Sequence, residues 1–438
     1  MQRRVLNGRG GRTAVVVVAL LGLLAIAGGL QRASAQPAVG VAVDAQAPTA
    51  KLGGGGPIVI GSTLSLTGSF AATGIIHKAA GEAFVRWINS SGGVLGRRLE
   101  WKLYDDESDP AKVTQLYERL ISQDRVDLIM GPYATPNIVA AQAVAERHGY
   151  VLPNHTAVLT YALNYRCQFP TWSTGAKPNL TIPQTVFQAV RTVRKRPQRI
   201  AFVTNTGGST NFISYGAPNS NEGGAVEWAR KNGFNVVLDL KYPPTQSEWG
   251  TIATQIRAAR PDLVWNSGLA VDPVQIIQAM EQLNYKPPMF FTLFPAPGPL
   301  LALGDRASNV LSLTLFEPNG KLLRRMGPKA QNIVRLFAAS AAANRINYRV
   351  FDSQATASWT AWEVLVAGIR GARSVENERV CNFLRGNRVQ TTFTGTLRFN
   401  PATNNFSAAR NLIKQVQNRR WVVVWPPSLR VARLQGPK

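Results

Sequence analysis

Short apolar runs alternate with amphipathic helical stretches along most of this chain, and that alternation leaves few folds open. "PIVIGSTL" (57–64), "VDLIMG" (126–131) and "YVLP" (150–153) are brief β-branched or apolar runs, and "RLEWKLYD" (98–105) alternates polar with apolar residues. The clearest helix between them starts at Asp109 as cap and Pro110 as first helical residue, with Val113, Leu116, Tyr117, Leu120 and Ile121 on one face. A second series runs from about Pro183. It comprises helix Val186 to Val193, strand "RIAFVT", helix Gly224 to Asn232, strand "FNVVLDLKY", helix Glu248 to Ala259, strand "DLVWNSG", helix Pro273 to Leu283 and strand "MFFTLF". Strands that alternate with helices form parallel sheets covered on both faces. Two series separated by the irregular stretch 161–182 therefore predict an α/β protein with two doubly wound, mostly parallel sheets. The last third departs from the rhythm, with long helices at 327–343 and 353–371 followed by a hairpin-like set of strands within "TGTLRFNPATNNFSAARNLIKQVQNRRWVVVWPP".

The first 35 residues read as a processing signal. Arg3, Arg4, Arg9 and Arg12 precede the apolar stretch from Thr13 to Leu30, and "ASA" at 33–35 predicts cleavage after Ala35. An uncleaved anchor is the alternative reading of that stretch. Arg3 and Arg4 fit a twin-arginine signal poorly in their context, which favours Sec export. Residues 36–56, rich in Ala, Gly and Pro and ending in four glycines, read as a disordered tether. The remaining length, to about Pro427, exceeds one ordinary core and predicts two lobes.

The formal charge of +25 includes five arginines before residue 36, so the remainder carries +20. The basic residues are scattered and no helix-turn-helix, zinc-finger or aromatic RNA-binding signature accompanies them, which argues against nucleic acid as a partner. A positive field still favours capture of a small anion. Three histidines and no GxSxG, GxGxxG, P-loop or HExxH leave no catalytic constellation to assemble, so no enzymatic activity and no cofactor or metal is expected. Cys167 and Cys381 are the only cysteines. An exported chain is free to bridge them or to leave both reduced, and spacing does not decide.

Chemistry in a doubly wound sheet collects at the C-terminal ends of strands, beside helix N-termini. Three loops qualify in the first lobe: "LTGSFAATG" (66–74), "GPYATP" (131–136) and "PNHTA" (153–157). Thr135 before Pro136 reads as an N-cap. Its hydroxyl either holds a ligand carboxylate together with nearby amides or does no more than cap its helix.

These loops, with "AFVRWINSSGGVLGRRLEWKLYDDESDPAKVTQLYERLI", "QIRAARPDLVWNSG", "IIQAMEQLNYKPPMFFT" and the ending "TGTLRFNP…VVVWPP", resemble the substrate-binding proteins of branched-chain amino acid ABC transporters, the leucine/isoleucine/valine-binding group. The resemblance implies a type I periplasmic-binding-protein fold: two lobes joined by three hinge crossovers. The first lobe would be built from 57–172 and 306–415, the second from 173–305 and 416–438. It also implies a monomer in the periplasm that closes on a small molecule and delivers it to a membrane permease; a sensor that signals to a receptor would use the same closure.

Carried over residue by residue, the ligand contacts are Ser69, Phe70 and Thr73 in the first loop, Tyr133, Ala134 and Thr135 in the second, and His155 and Thr156 in the third. The second lobe adds Ser267, Gly268 and Leu269, with an aromatic such as Phe212 or Tyr215 from "TGGSTNFISYG". His155 is equally readable as a packing residue. Trp249, Trp265, Trp359 and Trp362 read as core, whereas Trp172 near the hinge is placed to stack on a ligand.

One position departs from the family. Amino-acid binders carry an acidic residue for the ligand ammonium after the strand matching "MFFTLF", and here Phe294 stands there. Either Phe294 is sheet core and the acid lies elsewhere, at Asp272 or Glu281, or the cleft has none. Without an acid, the expected ligand is a carboxylate with an aromatic or apolar body, and a branched-chain amino acid or an amide is the alternative.

Overall fold

The computed structural model describes residues 55–172, 174–399 and 410–437. The expected leader, its cleavage after Ala35 and nearly all of the tether lie outside the described residues, as does 400–409 of the C-terminal strand region. No helix among the described residues is long and apolar enough to cross a membrane.

The first lobe opens with β1 (Ile58–Leu64), α1 (Ala71–Ser90), β2 (Leu99–Asp105), α2 (Pro110–Ser122), β3 (Leu128–Ile129), α3 (Thr135–His148), β4 (Leu152–Asn154) and β5 (Gln168–Pro170). Strand β1 lies between β2 and β3, and β4 pairs with β5, all in parallel. Asp109 caps α2 by accepting the Ala111 amide at 2.8 Å, with Pro110 in the first turn. Gly74 lets α1 pass close over the preceding loop, because a Cβ there would lie 1.9 Å from the Ser65 carbonyl oxygen.

The second lobe contains α4 (Pro178–Val190), β6 (Arg199–Asn205), α5 (Gly208–Tyr215), α6 (Ala225–Lys231), β7 (Asn235–Tyr242), α7 (Trp249–Ala259), β8 (Leu263–Ala270), α8 (Asp272–Gln282), β9 (Met289–Pro295), α9 (Pro297–Ala302) and β10 (Val310–Thr314). The chain then returns to the first lobe with α10 (Gly320–Ala343), α11 (Ser353–Ala372), α12 (Asn377–Gly386) and the hairpin β11 (Arg388–Thr391) and β12 (Gly395–Arg398), and ends with β13 (Leu412–Gln417) and β14 (Arg420–Trp425). Among the described residues the second sheet has seven strands in the order β14-β13-β10-β9-β8-β6-β7, parallel from β10 to β7 and antiparallel through β13 and β14.

Sheet membership corrects the expected lobe limits. Residues 310–314 pair with β9 and 412–417 with β10, so neither strand belongs to the first lobe. The backbone groups on that side of β9 find their partners in β10, so the chain crosses back only after Thr314. It crosses again between β12 and β13.

Separate cores hold the lobes. In the first, Ile60, Phe84 and Leu128 pack with Phe337, Trp359 and Trp362 of the returning helices, all fully or nearly fully buried. In the second, Phe187, Trp265 and Phe291 cover one sheet face and Ile256, Ile276 and Phe290 the other. Where the lobes join, the buried Lys414 of β13 pairs with Glu317 in the crossover. Burial pushes the Glu317 carboxyl up to about 7 against the pull of that ammonium.

Cys167 and Cys381 form a disulfide with a Cα–Cα distance of 5.3 Å, tying the approach to β5 to α12 across 214 residues of chain. A closure that long restricts the unfolded chain strongly, so reduction should lower unfolding stability by about 2–4 kcal/mol. Urea unfolding with and without dithiothreitol measures it, and coincident midpoints would show that the bridge contributes nothing.

Candidate functional site

The loops at the C-terminal ends of the strands face one another across the lobes and enclose a cavity. From the first lobe it is lined by Phe70 just before α1, by Tyr133, Ala134 and Thr135 at the start of α3, and by Thr156 and Val158 beyond β4. Trp172 comes from the crossover that follows β5, and Gln354 from the first turn of α11. The second lobe contributes Ser209 from the first turn of α5, Leu269 from the end of β8 and Phe294 from the end of β9. Among the described residues, no acidic or basic side chain is part of this lining. The free volume is about 20 Å³, room for the centre of roughly one water molecule.

The rings stand edge to face, Phe70 on Tyr133 at 6.1 Å and Trp172 on Phe294 at 6.4 Å between centroids. Phe294 and Leu269 sit side by side on paired strands. Ala134 adopts φ 68°, ψ 143°, a conformation that strains a residue with a Cβ. Its amide donates to the Thr156 hydroxyl at 3.3 Å. That turn sends the chain straight into α3, where Pro136 brings no N–H and the Thr135 and Asn137 amides lie too early in the helix for an intrahelical acceptor; Thr135 itself lines the cavity. The helix counts Thr135 as its first residue and Ala134 as the flanking one, so Thr135 is not the expected N-cap and its hydroxyl makes no capping bond. The indole Nε1 of Trp172 is buried without an acceptor among the described residues.

Behind this wall lie two buried histidines. His77 of α1 stacks on His155 with centroids 4.3 Å apart and lies 4.8 Å from the Tyr133 ring. Its Nε2 meets Gln354 Oε1 at 3.0 Å. Burial lowers the His77 pKa to about 4, with the Gln354 contact opposing. Burial, followed by the neighbouring His77, holds His155 well below the ordinary histidine value. Burial also pushes the Tyr133 hydroxyl up to about 12.

The two positions offered as an alternative source of an acid do not reach the cavity lining. Asp272 accepts from Asn205 at 2.9 Å, from the Tyr242 hydroxyl at 2.9 Å and from the Leu269 amide at 3.1 Å. Glu281 is exposed and paired with Arg306 at 2.9 Å.

Of the expected contacts, Phe70, Tyr133, Ala134, Thr135, Thr156, Trp172, Leu269 and Phe294 come together in the lining. The others do not. Ser69 is exposed on the turn before α1, and Thr73 is buried on that helix's inner face. His155 sits behind the wall against His77. Phe212 and Tyr215 fall on α5, where the sequence reads as a loop. Phe212 enters the second core beside Tyr161, while the Tyr215 hydroxyl donates to Asp239 at 2.5 Å. Ser267 is fully buried, its hydroxyl accepting from Trp265 Nε1 at 2.8 Å and from Ser214 at 2.7 Å. Val158, Ser209 and Gln354 are the lining residues that sequence reasoning missed. Ser209 follows a strand end, so the rule used for the first lobe had the means to find it. Gln354 follows another helix and carries no such signal.

A sequence profile described as periplasmic binding protein matches residues 57–419. Leu/Ile/Val-binding protein homolog 8 of Brucella suis biovar 1 is 26% identical over 254 residues, 57% of this chain, and the chain spans only 60% of that relative's length. The Leu/Ile/Val-binding protein of Escherichia coli K12 is 22% identical over 335 residues, 75% of this chain and 82% of that one. Among solved structures, the branched-chain amino acid transporter substrate-binding protein of Streptococcus pneumoniae in complex with isoleucine aligns with a TM-score of 0.65 at 17% identity, covering 84% of this chain and 100% of that one. An ABC-transporter solute-binding protein of R. palustris in complex with benzoate aligns with a TM-score of 0.68 at 18% identity, covering 84% and 95%. Such likenesses show the type I periplasmic-binding-protein fold.

The buried histidines make stability depend on pH with a definite sign. His77 has a native pKa depressed from 6.5 to about 4, so the unfolded chain takes up its proton first as pH falls. Its contribution is intact above 6.5 and is lost between there and 4, up to about 3 kcal/mol. In urea unfolding at pH 7 and pH 4.5, wild type should lose more stability than His77→Gln; equal losses would contradict this assignment.

Proposed function

Because this chain belongs to the periplasmic binding protein family, we propose that it is the exported solute-binding subunit of an ABC importer, monomeric in the periplasm, and that its cavity takes a small carboxylate with an aromatic or apolar body. The observation that carries the ligand class is the composition of the wall: rings and hydrogen-bond donors, with no acidic side chain among the described residues. An ammonium group enclosed there would lose its hydration without a counter-charge, at a cost of several kcal/mol. A carboxylate instead meets the Thr135 and Thr156 hydroxyls, the first turn of α3 and the unpartnered Trp172 N–H. Phe70, Val158, Leu269 and Phe294 supply the apolar surface for the body. The benzoate complex of the R. palustris neighbour is consistent with this class, while the isoleucine complex and the names of the curated relatives speak for an amino acid.

Enclosing a benzene ring takes a cavity on the order of 150 Å³, so the lobes part to admit the solute and close with it between them. Contacts made to both lobes stabilise the closed form, and the population shifts by the difference in affinity between the two forms. The closed form is then what the permease receives.

A thermal-shift panel of benzoate, cinnamate, benzamide, leucine and isoleucine tests the ligand class. A ligand at a hundred times its Kd adds about 2.7 kcal/mol. Stabilisation by an aromatic acid and none by leucine or isoleucine is expected; the reverse pattern would overturn the reading. Thr135→Ala should weaken the acid that binds about tenfold, the loss of a charge-assisted hydrogen bond, with the ligand-free unfolding midpoint almost unchanged. Unchanged affinity would remove Thr135 from the site.

A further inference from the structure

Gln354 reaches the cavity from a helix start rather than from a strand end, and its side chain is held from behind. Asp352 caps α11 by accepting the Gln354 amide at 2.9 Å, which fixes the backbone. The Ser358 hydroxyl donates to the His77 carbonyl at 3.2 Å and ties α11 to α1. The His77 ring, wedged between His155 and Tyr133, cannot swing away from Gln354 Oε1.

Which group Gln354 turns to the cavity follows from the imidazole. His77 Nδ1 is buried with no partner among the described residues. A proton on Nδ1 would orphan a buried N–H, whereas a proton on Nε2 leaves only a lone pair unpaired and donates to Gln354 Oε1. Orphaned buried N–H groups are the rarer arrangement. With Oε1 committed to His77, the amide NH2 is the part left to face the cavity, and no described protein group accepts from it.

We propose that Gln354 is a specificity-determining residue of this site, its NH2 donating to an oxygen of the bound solute, and that His77 is the positioning residue that keeps the amide in that orientation. The assignment rests on the carboxylate reading above and deepens it. An oxygen anion gains a preorganised donor whose orientation costs nothing on binding. An amine in the same place meets N–H groups and no acceptor on this residue.

Calorimetric titration of the full mature protein with benzoate, and separately with benzylamine, tests both roles. Gln354→Leu should weaken benzoate about tenfold or more, the loss expected of a hydrogen bond to a charged group. Gln354→Glu is nearly isosteric and replaces the donor with an anion. It should weaken benzoate further and gain a measurable benzylamine response. His77→Gln, which retains a donor toward Oε1, should stay within about threefold of wild type, whereas His77→Leu should fall toward Gln354→Leu, and the double variant should add little, as for residues acting as one unit. A role limited to packing would make the two losses add and would give no benzylamine response in Gln354→Glu. Wild-type benzoate binding with unchanged affinity in both Gln354 variants would overturn this assignment alone and leave the ligand class standing. No benzoate response in the wild type would overturn the carboxylate reading and this role with it.

Discussion

An ammonium ion enclosed between two lobes gives up its water, and only a carboxylate or a full set of acceptors on the wall replaces what is lost. The structure has buried acids close to the cleft, yet each is engaged elsewhere. Asp106 accepts from the Thr63 and Ser65 hydroxyls at 2.8 and 2.7 Å and braces the loop before α1. Asp272 gathers three donors beneath Leu269. Asp352 caps α11 and accepts from the Tyr348 hydroxyl at 3.1 Å. The carboxylates thus organise the frame, and the surfaces they organise are donors and rings. That division is what gives the cavity its chemical sign.

The same logic operates where the lobes join. Glu317 lies at the crossover after β10 and pairs with Lys414, which enters the second sheet on β13. Thr314 donates to the same carboxyl at 3.3 Å. A buried pair of this kind adds little stability over an apolar replacement, but losing either partner leaves a naked charge. It therefore holds two segments almost a hundred residues apart in one arrangement at the point where the lobes meet. The disulfide does comparable work within the first lobe by fastening α12 to the strand region near β5. Each lobe is packed around cores of its own, and the crossover that holds Glu317 links them.

Local pattern in the sequence carries the alternation of strands and helices and the three first-lobe loops at strand ends, with Thr135 among them, while Phe70, Tyr133, Thr156, Leu269 and Phe294 were legible through the family resemblance. What was not legible depends on pairing and register. Ser267 and Leu269 are two residues apart and would share a face in a regular strand, but the register of β8 against β9 shifts between Asn266 and Leu269. Ser267 consequently turns into the core while Leu269 faces the cavity. "TGGSTNFISYG" is expected as a loop in the match to the family, yet Gly208–Tyr215 forms α5, and a helix directs Phe212 and Tyr215 by its packing rather than by their chemistry. The assignment of β10 and β13 to the second sheet is non-local and has no trace in either segment. Gln354 is invisible because no strand precedes its helix.

Selectivity in such a cavity comes as much from what a wrong solute leaves undone as from what the right one gains. The Trp172 N–H has no protein acceptor among the described residues, and the start of α3 is presented through a strained turn at Ala134. Strain of that kind persists only where the surroundings hold it, here through the Thr156 hydroxyl. A hydrocarbon matching the apolar side of the cavity would seal these donors away unpaired, a penalty of about 1–3 kcal/mol for each buried group. An amine would do the same and add the desolvation of its own charge. A solute with an oxygen anion at one end and a ring at the other avoids both penalties, since its anion satisfies the donors in the low-dielectric setting where such bonds are strongest. On the proposed reading, the lack of an acidic side chain among the described lining residues disfavours one class and the unpaired donors disfavour another, which leaves a narrow overlap.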